Sequence, residues 1–133
     1  MKISIAIFLL FFLTCQKDDV FDDTPIDQTG LVGEWLLTET YISPGGKTEW
    51  KKVNNGYRYL FKTDGSYNKI SITTESGNYD INESELFLYV GNAGEKDTLG
   101  FNANFNEAKT VLTLSPSYPN ICIEGCLYRY QKQ

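Results

Sequence analysis

Apolar and polar residues alternate along much of the chain after residue 30, with a period of two. Tyr57, Tyr59 and Phe61 alternate with Arg58 and Lys62. The same period recurs later, where one face carries Leu99, Phe101, Ala103 and Phe105. Strands that bury one face show this alternation, because successive side chains point to opposite sides of a sheet. The pattern therefore predicts an all-β domain.

Turn signals divide this region into short strand segments. The strand-like stretches are 32–43, 56–73, 76–91, 97–116 and 126–132. Three of them are long enough to be hairpins, with turns predicted at Thr63-Asp64-Gly65, at 82–84 and near 106–107. Eight short strands joined by local turns favour an up-and-down barrel or a sandwich.

The first fourteen residues have a different composition. Lys2 precedes an almost unbroken apolar stretch over residues 3–13. As a helix this stretch would be about 16 Å long, roughly half of the ~30 Å needed to cross a bilayer. Residues 1–14 are therefore predicted to be a signal peptide. The alternative is a buried core helix, which polar residues at a 3.6-residue period would favour, and only Ser4 interrupts the run.

Cys15 lies directly after the apolar stretch. Phe12-Leu13-Thr14-Cys15 resembles the lipobox of bacterial lipoproteins, which implies that Cys15 is lipidated and becomes the first mature residue. Gln16, Lys17, Asp18 and Asp19 are similar to a signal that routes lipoproteins to the outer face of the outer membrane. The resemblance implies a lipid-anchored protein on the surface of a Gram-negative bacterium. The alternative is a solvated acidic tether without a routing role.

Composition narrows the possible partners and chemistry. The chain has 133 residues, a net charge of −5, and no histidine. Without histidine, the commonest general base and metal ligand are absent. No basic cluster that would bind nucleic acid occurs in the sequence. We expect no catalytic residues, no metal, no cofactor and no enzymatic activity. Residues 15–29, polar and acidic, are predicted to be a flexible tether, and 30–133 to be the folded domain.

The start of the domain carries a family resemblance. Gly33-Glu34-Trp35 is similar to the G-x-W motif that opens the first strand in lipocalins and related calycin barrels. With the strand segments that follow, residues 30–132 resemble the lipocalin-like domain of short bacterial lipoproteins. The resemblance implies an eight-stranded antiparallel barrel. It also implies that Trp35 plugs the closed end and that Arg129 packs over it; an exposed Arg129 is the alternative.

Cys122 and Cys126 flank the three residues Ile-Glu-Gly. They could supply only half of a zinc site, since the sequence offers no histidine and only one other cysteine to complete it. In an exported protein the expected outcome is a disulfide. A redox-active pair is the alternative.

Two functional hypotheses remain. In the first, the barrel binds a small apolar or amphipathic ligand, and the predicted lining residues are Tyr41, Tyr59, Phe61, Leu88 and Phe101. The same side chains could instead fill the barrel as its core. In the second, a filled barrel contacts a partner protein or a glycan through its tyrosine-rich surface or through loops 44–56 and 91–97. Trp50 is then the residue of greatest interest, since an exposed Trp beside Lys51 and Lys52 would suggest contact with a partner. The alternative is a loop Trp that caps the mouth of the barrel.

Overall fold

The computed structural model describes residues 24–91 and 97–133. Over these ranges the elements follow in this order: β1 (Thr24–Pro25), α1 (Gln28–Leu31), β2 (Gly33–Ile42), β3 (Lys51–Lys52), β4 (Arg58–Phe61), β5 (Ser66–Ile70), β6 (Thr74–Asn82), β7 (Glu85–Val90), β8 (Asp97–Phe105), β9 (Val111–Tyr118) and β10 (Cys126–Lys132). None of the helical structure in these ranges is long and apolar enough to span a membrane. The predicted signal peptide, Cys15 and residues 16–19 lie outside the described residues, as do 92–96 within loop 91–97.

Eight antiparallel strands close into a barrel. Strands β4 to β10 each pair with the next along the chain, and β2 pairs with β4 on one side and β10 on the other. Every connection between these strands therefore joins neighbours, which confirms the predicted all-β, up-and-down barrel. The two-residue strands extend it: β1 pairs with the end of β8, and β3 pairs with β2 beyond the start of β4.

The predicted hairpin turns lie where the local sequence favours them. Gly65 adopts a positive φ of 84° in the β4–β5 turn. Asp64 Oδ1 accepts a hydrogen bond of 2.9 Å from the backbone N–H of Ser66, which fixes the same turn. Glu83 adopts a positive φ of 56° between β6 and β7. These local geometries set the register of both hairpins.

Residues 24–31 belong to the folded domain. Thr24 pairs with Phe105 in the sheet. Asp27 caps α1 by accepting a hydrogen bond of 2.5 Å from the backbone N–H of Gly30, and it forms an ion pair with Lys109. The hydrogen bond from Lys109, followed by that from Gly30, lowers the pKa of Asp27. The prediction that the flexible tether extends through residue 29 is therefore wrong, because 24–29 pair with or pack on the barrel.

A β-bulge in β2 changes which side chains face outward. Tyr130 of β10 pairs with Leu37, whereas the preceding Arg129 pairs with Glu39, so Thr38 has no partner of its own in β10. Directly opposed residues in a sheet share a face, and a bulge reverses the alternation beyond it. Leu37 therefore faces the core with Tyr130, while Glu39 faces outward with Arg129. The bulge also turns Tyr41 to the outer face, opposite Leu127.

Candidate functional site: a groove on the outer wall of the barrel

The barrel interior is filled by its own side chains. Tyr59, Phe61 and Leu88 are 3%, 1% and 0% exposed and belong to the central core cluster. Phe101 is partly buried and packs against the same cluster. Tyr41 does not face the interior, so its assignment to an interior lining is wrong; its ring instead contacts Trp50 at 5.5 Å between centroids. Four of the five predicted lining residues thus form core rather than the wall of an open cavity.

Buried phenols give this core its internal hydrogen bonds. The hydroxyls of Tyr57 and Tyr130 lie 2.7 Å apart, and the Tyr79 hydroxyl donates to the carbonyl of Lys62 at 2.7 Å. Burial raises the pKa values of Tyr57, Tyr59 and Tyr130, and it raises that of Tyr67 to about 12. These four hydroxyls therefore stay neutral to a higher pH than an exposed phenol does.

At the closed end of the barrel, Trp35 is fully buried. Its indole Nε1–H donates to the carbonyl of Leu31 at 2.7 Å, and its ring stacks on Phe105 at 5.7 Å. The cation above the ring is Lys132, whose Nζ lies 5.3 Å from a ring centroid and donates to the carbonyl of Gly30 at 3.0 Å. The indole N–H and the ammonium thus both bond to backbone carbonyls at this end.

The prediction that Arg129 packs over Trp35 is therefore wrong. In β10 the residue directly opposite Trp35 is Lys132. Lys132 lies three residues from Arg129, and an odd spacing in a strand places two side chains on opposite faces. Tyr130, which is 2% exposed, and Lys132 face inward, so Arg129 faces outward.

A groove of about 860 Å³ lies on the outer wall, across β8, β9, β10 and β2. Residues 50–54, which contain β3, form one side of it. We call this feature the outer-wall groove. Its lining is rich in amide and hydroxyl side chains, among them Asn54, Asn102, Asn104, Thr113, Ser115 and Gln131. On β8, β9 and β10 these residues alternate with the inward core residues, so the same sheet presents an apolar inner face and an outer face that is mostly polar, with Val111 and Leu127 as apolar exceptions.

The charged part of the groove is organised around Trp50. The guanidinium carbon of Arg129 lies 3.7 Å from the centroid of a Trp50 ring. Arg129 Nη1 also lies 3.5 Å from Glu39 Oε2, and the two side chains are 32% and 33% exposed. Lys52, which also lines the groove, is opposite Glu39 in the β2–β3 register. The bulge in β2 is what brings Glu39 and Arg129 to the same outer face.

Other outward features lie near the open end of the barrel. Cys122 and Cys126 form a disulfide with Cα atoms 5.7 Å apart, as the sequence predicts. The bridge closes a loop on which Ile121 and Ile123 are 70% and 92% exposed. A second depression of about 480 Å³, on the outer faces of β6, β7 and β8, is lined in part by Phe87, Tyr89 and Tyr118. It is smaller and more open than the outer-wall groove.

The sequence interpretation singled out Trp50 but missed the residues around it. Glu39, Asn102, Asn104, Thr113 and Gln131 were not predicted to be site residues. Asn102 and Asn104 could have been recognised as candidate site residues from the sequence. Asparagine is depleted in strands, and here it occupies both polar positions of residues 99–105. Glu39 carries no comparable signal, since its outward direction depends on the bulge.

Comparisons with known proteins agree with this architecture. The structure is similar to a lipocalin-like protein from Bacteroides uniformis ATCC 8492, with a TM-score of 0.58 and 20% identity over 78% of this chain and 99% of that chain. It is also similar to an uncharacterized protein from Bacteroides eggerthii DSM 20697, with a TM-score of 0.55 and 15% identity over 77% of this chain and 98% of that chain. No protein-family model and no curated protein matches the sequence. The structural likeness establishes the fold: residues 24–91 and 97–133 form a closed, eight-stranded, lipocalin-like barrel.

Proposed function

We propose that the protein is a lipid-anchored, surface-exposed binding protein that carries its ligand site in the outer-wall groove, and that the ligand is a carbohydrate. Binding without catalysis is the proposed activity. The observation that carries the proposal is the contrast between the two faces of one sheet. The inward positions are occupied by packed core residues, whereas the outer face holds a groove of about 860 Å³. A lipocalin-like fold is compatible with small-ligand binding, and the groove is the larger of the two depressions described above.

The lining of the groove matches the chemistry of sugars. Each sugar hydroxyl is both a donor and an acceptor, and so is each Asn or Gln amide and each Ser or Thr hydroxyl. Arg129 adds donors, and Glu39 adds acceptors. A fatty acid or another lipophile would displace water from these polar groups without offering hydrogen bonds in return, which is unfavourable. The groove, whose lining also includes the apolar residues Val53, Val111 and Leu127, is therefore better suited to a polyhydroxylated ligand with C–H faces than to a wholly apolar one, which the first hypothesis named beside an amphipathic one.

The anchor is proposed from the N-terminal sequence. A lipidated Cys15 would hold the protein at a membrane, since a bacterial lipoprotein carries more than one acyl chain, and a single chain binds only marginally. Eight residues separate Cys15 from Thr24, the first residue of β1. Such a segment spans at most about 28 Å. Because β1 pairs with the end of β8, the anchor would join the barrel near its closed end.

Binding measurements with saccharides and with a lipophile distinguish a site in the outer-wall groove from a site inside the barrel. The full chain, extracted in detergent, is tested by isothermal titration calorimetry against xylo-oligosaccharides, isomalto-oligosaccharides, oligogalacturonates and hyaluronan oligosaccharides, and against palmitate. We expect at least one saccharide to bind, and we expect Trp50→Ala to weaken that binding. Binding of palmitate with no response to any saccharide would reject the groove and favour an interior site.

The anchor has its own test. Replacement of Cys15 by Ala should move the protein from the membrane fraction to the soluble fraction of its host. A matched Cys122→Ala variant should stay with the membrane, because it removes a thiol without removing the proposed lipid. A Cys15→Ala protein that fractionates like the parent would reject the lipoprotein proposal.

A further inference from the structure

The geometry points to an acidic saccharide as the ligand of the outer-wall groove, with the sugar carboxylate bound by Arg129. This inference rests on the proposed function, because it names the class of carbohydrate that the same groove binds. The observations that carry it are the charge of the groove, the fixed position of the guanidinium and the polar surroundings into which it projects.

The groove is lined by more cations than carboxylates, although the protein as a whole is acidic. The whole chain carries a net charge of −5. The charged side chains that line the groove are Arg129, Lys52 and Glu39, two cations and one carboxylate, which sum to +1. A locally positive surface on an acidic protein attracts an anionic ligand and disfavours a cationic one. A site for a neutral sugar would not need this excess of cations.

Arg129 is held in place before a ligand arrives. One face of its guanidinium lies 3.7 Å from the Trp50 ring. Glu39 Oε2 lies 3.5 Å from Nη1, which is long for a charge-assisted hydrogen bond. A guanidinium has five N–H donors, so this weak contact leaves donors for a ligand. Since the contact with Trp50 and the ion pair with Glu39 already restrict the Arg129 side chain, a carboxylate can bind with less further loss of side-chain entropy.

The neighbouring residues explain why the carboxylate should belong to a sugar. Arg129 lies opposite Thr113 in the β9–β10 register, and Thr113 lies opposite Asn104 of β8. A row of a guanidinium, a hydroxyl and an amide therefore crosses the floor of the groove from strand to strand. Adjacent strands are about 4.8 Å apart. A uronic acid has a carboxylate and several hydroxyls at comparable separations, so one residue of an acidic glycan could contact the whole row.

A pair of ligands, an acidic oligosaccharide and its neutral methyl ester, tests this inference. Oligogalacturonate and its fully methyl-esterified form have the same sugar ring, but only the first carries carboxylates; hyaluronan oligosaccharide provides a second uronate. Calorimetry on the full chain in detergent should give at least about tenfold tighter binding of oligogalacturonate than of the ester. The affinity for the acid should also fall as salt concentration rises.

Matched variants assign the effect to one side chain. Arg129→Gln should remove at least about tenfold of the affinity for the acidic oligosaccharide and lower that for the ester much less, because the ester loses hydrogen-bond donors but no charge pair. Arg58→Gln is the control, because Arg58 also pairs with a glutamate, Glu34, at 2.8 Å, but does not line the groove. Glu39→Gln should tighten binding of the acid, since it removes the carboxylate that competes for Arg129. This variant keeps the test independent of whether Arg129→Gln folds.

The outcomes separate this inference from the function on which it rests. Equal binding of the acid and the ester, unaffected by Arg129→Gln, would overturn the acidic ligand and leave a groove for neutral sugars. Binding of xylo- or isomalto-oligosaccharides alone would do the same. Failure of every saccharide to bind would overturn both the inference and the proposed function.

Discussion

Two contacts between a tryptophan and a cation illustrate how differently the two faces of this barrel use similar chemistry. At the closed end, Lys132 lies over Trp35, which is fully buried and hydrogen-bonded to the backbone. On the outer wall, Arg129 lies over the half-buried Trp50 and beside the partly exposed Glu39. The first contact involves a fully buried ring and a part-buried ammonium that both bond to backbone carbonyls, as expected of a contact that stabilises the fold. The second faces solvent and is available to a ligand.

The largest expected difference between the two sites is in stability. Trp35→Ala removes a fully buried ring that stacks on Phe105, and should lower the free energy of unfolding by about 3–5 kcal/mol. Trp50→Ala should cost much less, because its site is open to solvent and no enclosed cavity remains. Urea denaturation followed by circular dichroism measures both. Equal losses would show that the outer-wall contact is as structural as the closed end.

The second largest expected effect is a loss of folding stability at alkaline pH, which arises from the buried tyrosines of the inner face. Burial raises the pKa of Tyr67 to about 12, and it also raises those of Tyr59 and Tyr130 above the ordinary value near 10. The unfolded chain therefore loses these protons first as pH rises, so their stabilising contribution is complete below pH 10 and is lost progressively above it. Denaturation at pH 8 and at pH 10 to 12 measures this decrease.

Absorbance at 295 nm provides the control for that experiment, because it reports phenolate formation. The buried phenols should ionise only together with unfolding. Ionisation of Tyr59, Tyr67 and Tyr130 in a still-folded barrel would contradict the packed interior.

The smallest expected effect is the difference in stability between variants of the two cations, Lys132 and Arg129. Lys132→Met removes a part-buried ammonium that contacts Trp35 and the carbonyl of Gly30, and should cost about 1 kcal/mol. Arg129→Met should cost less, since its contacts are partly exposed and screened by solvent. Thermal melts of the two variants measure the difference. A larger loss for Arg129→Met would reverse the assignment of structural and ligand-binding roles.

The sequence was sufficient to predict the order of strands, because the relevant signals are local. Alternation at 57–62 and the Asp64-Gly65 turn fix a hairpin without reference to the rest of the chain. The lipocalin-like barrel was then inferred from the G-x-W motif of Gly33 to Trp35 together with the succession of strands, and the structure confirms it.

The site was not predictable in the same way, because its geometry depends on partners distant in sequence. The bulge that turns Glu39 and Tyr41 outward is visible only when β2 is aligned with β10, about 90 residues later. The same register decides that Lys132, and not Arg129, reaches Trp35. The end of the tether was misjudged for a related reason, since Thr24 is ordered by its pairing with Phe105. In each case the deciding contact joins segments that are far apart in the chain.

Chemical-shift mapping on the ¹⁵N-labelled full chain in detergent tests the central claim most directly, namely that the ligand site is on the outer wall and not inside the barrel. Oligogalacturonate and palmitate are titrated separately. The account predicts that oligogalacturonate shifts the amides of Trp50, Asn104, Thr113 and Arg129, and that palmitate shifts none of the core amides. Shifts at Tyr59, Leu88 and Phe101 on addition of palmitate, with the outer-wall amides unmoved by oligogalacturonate, would contradict it.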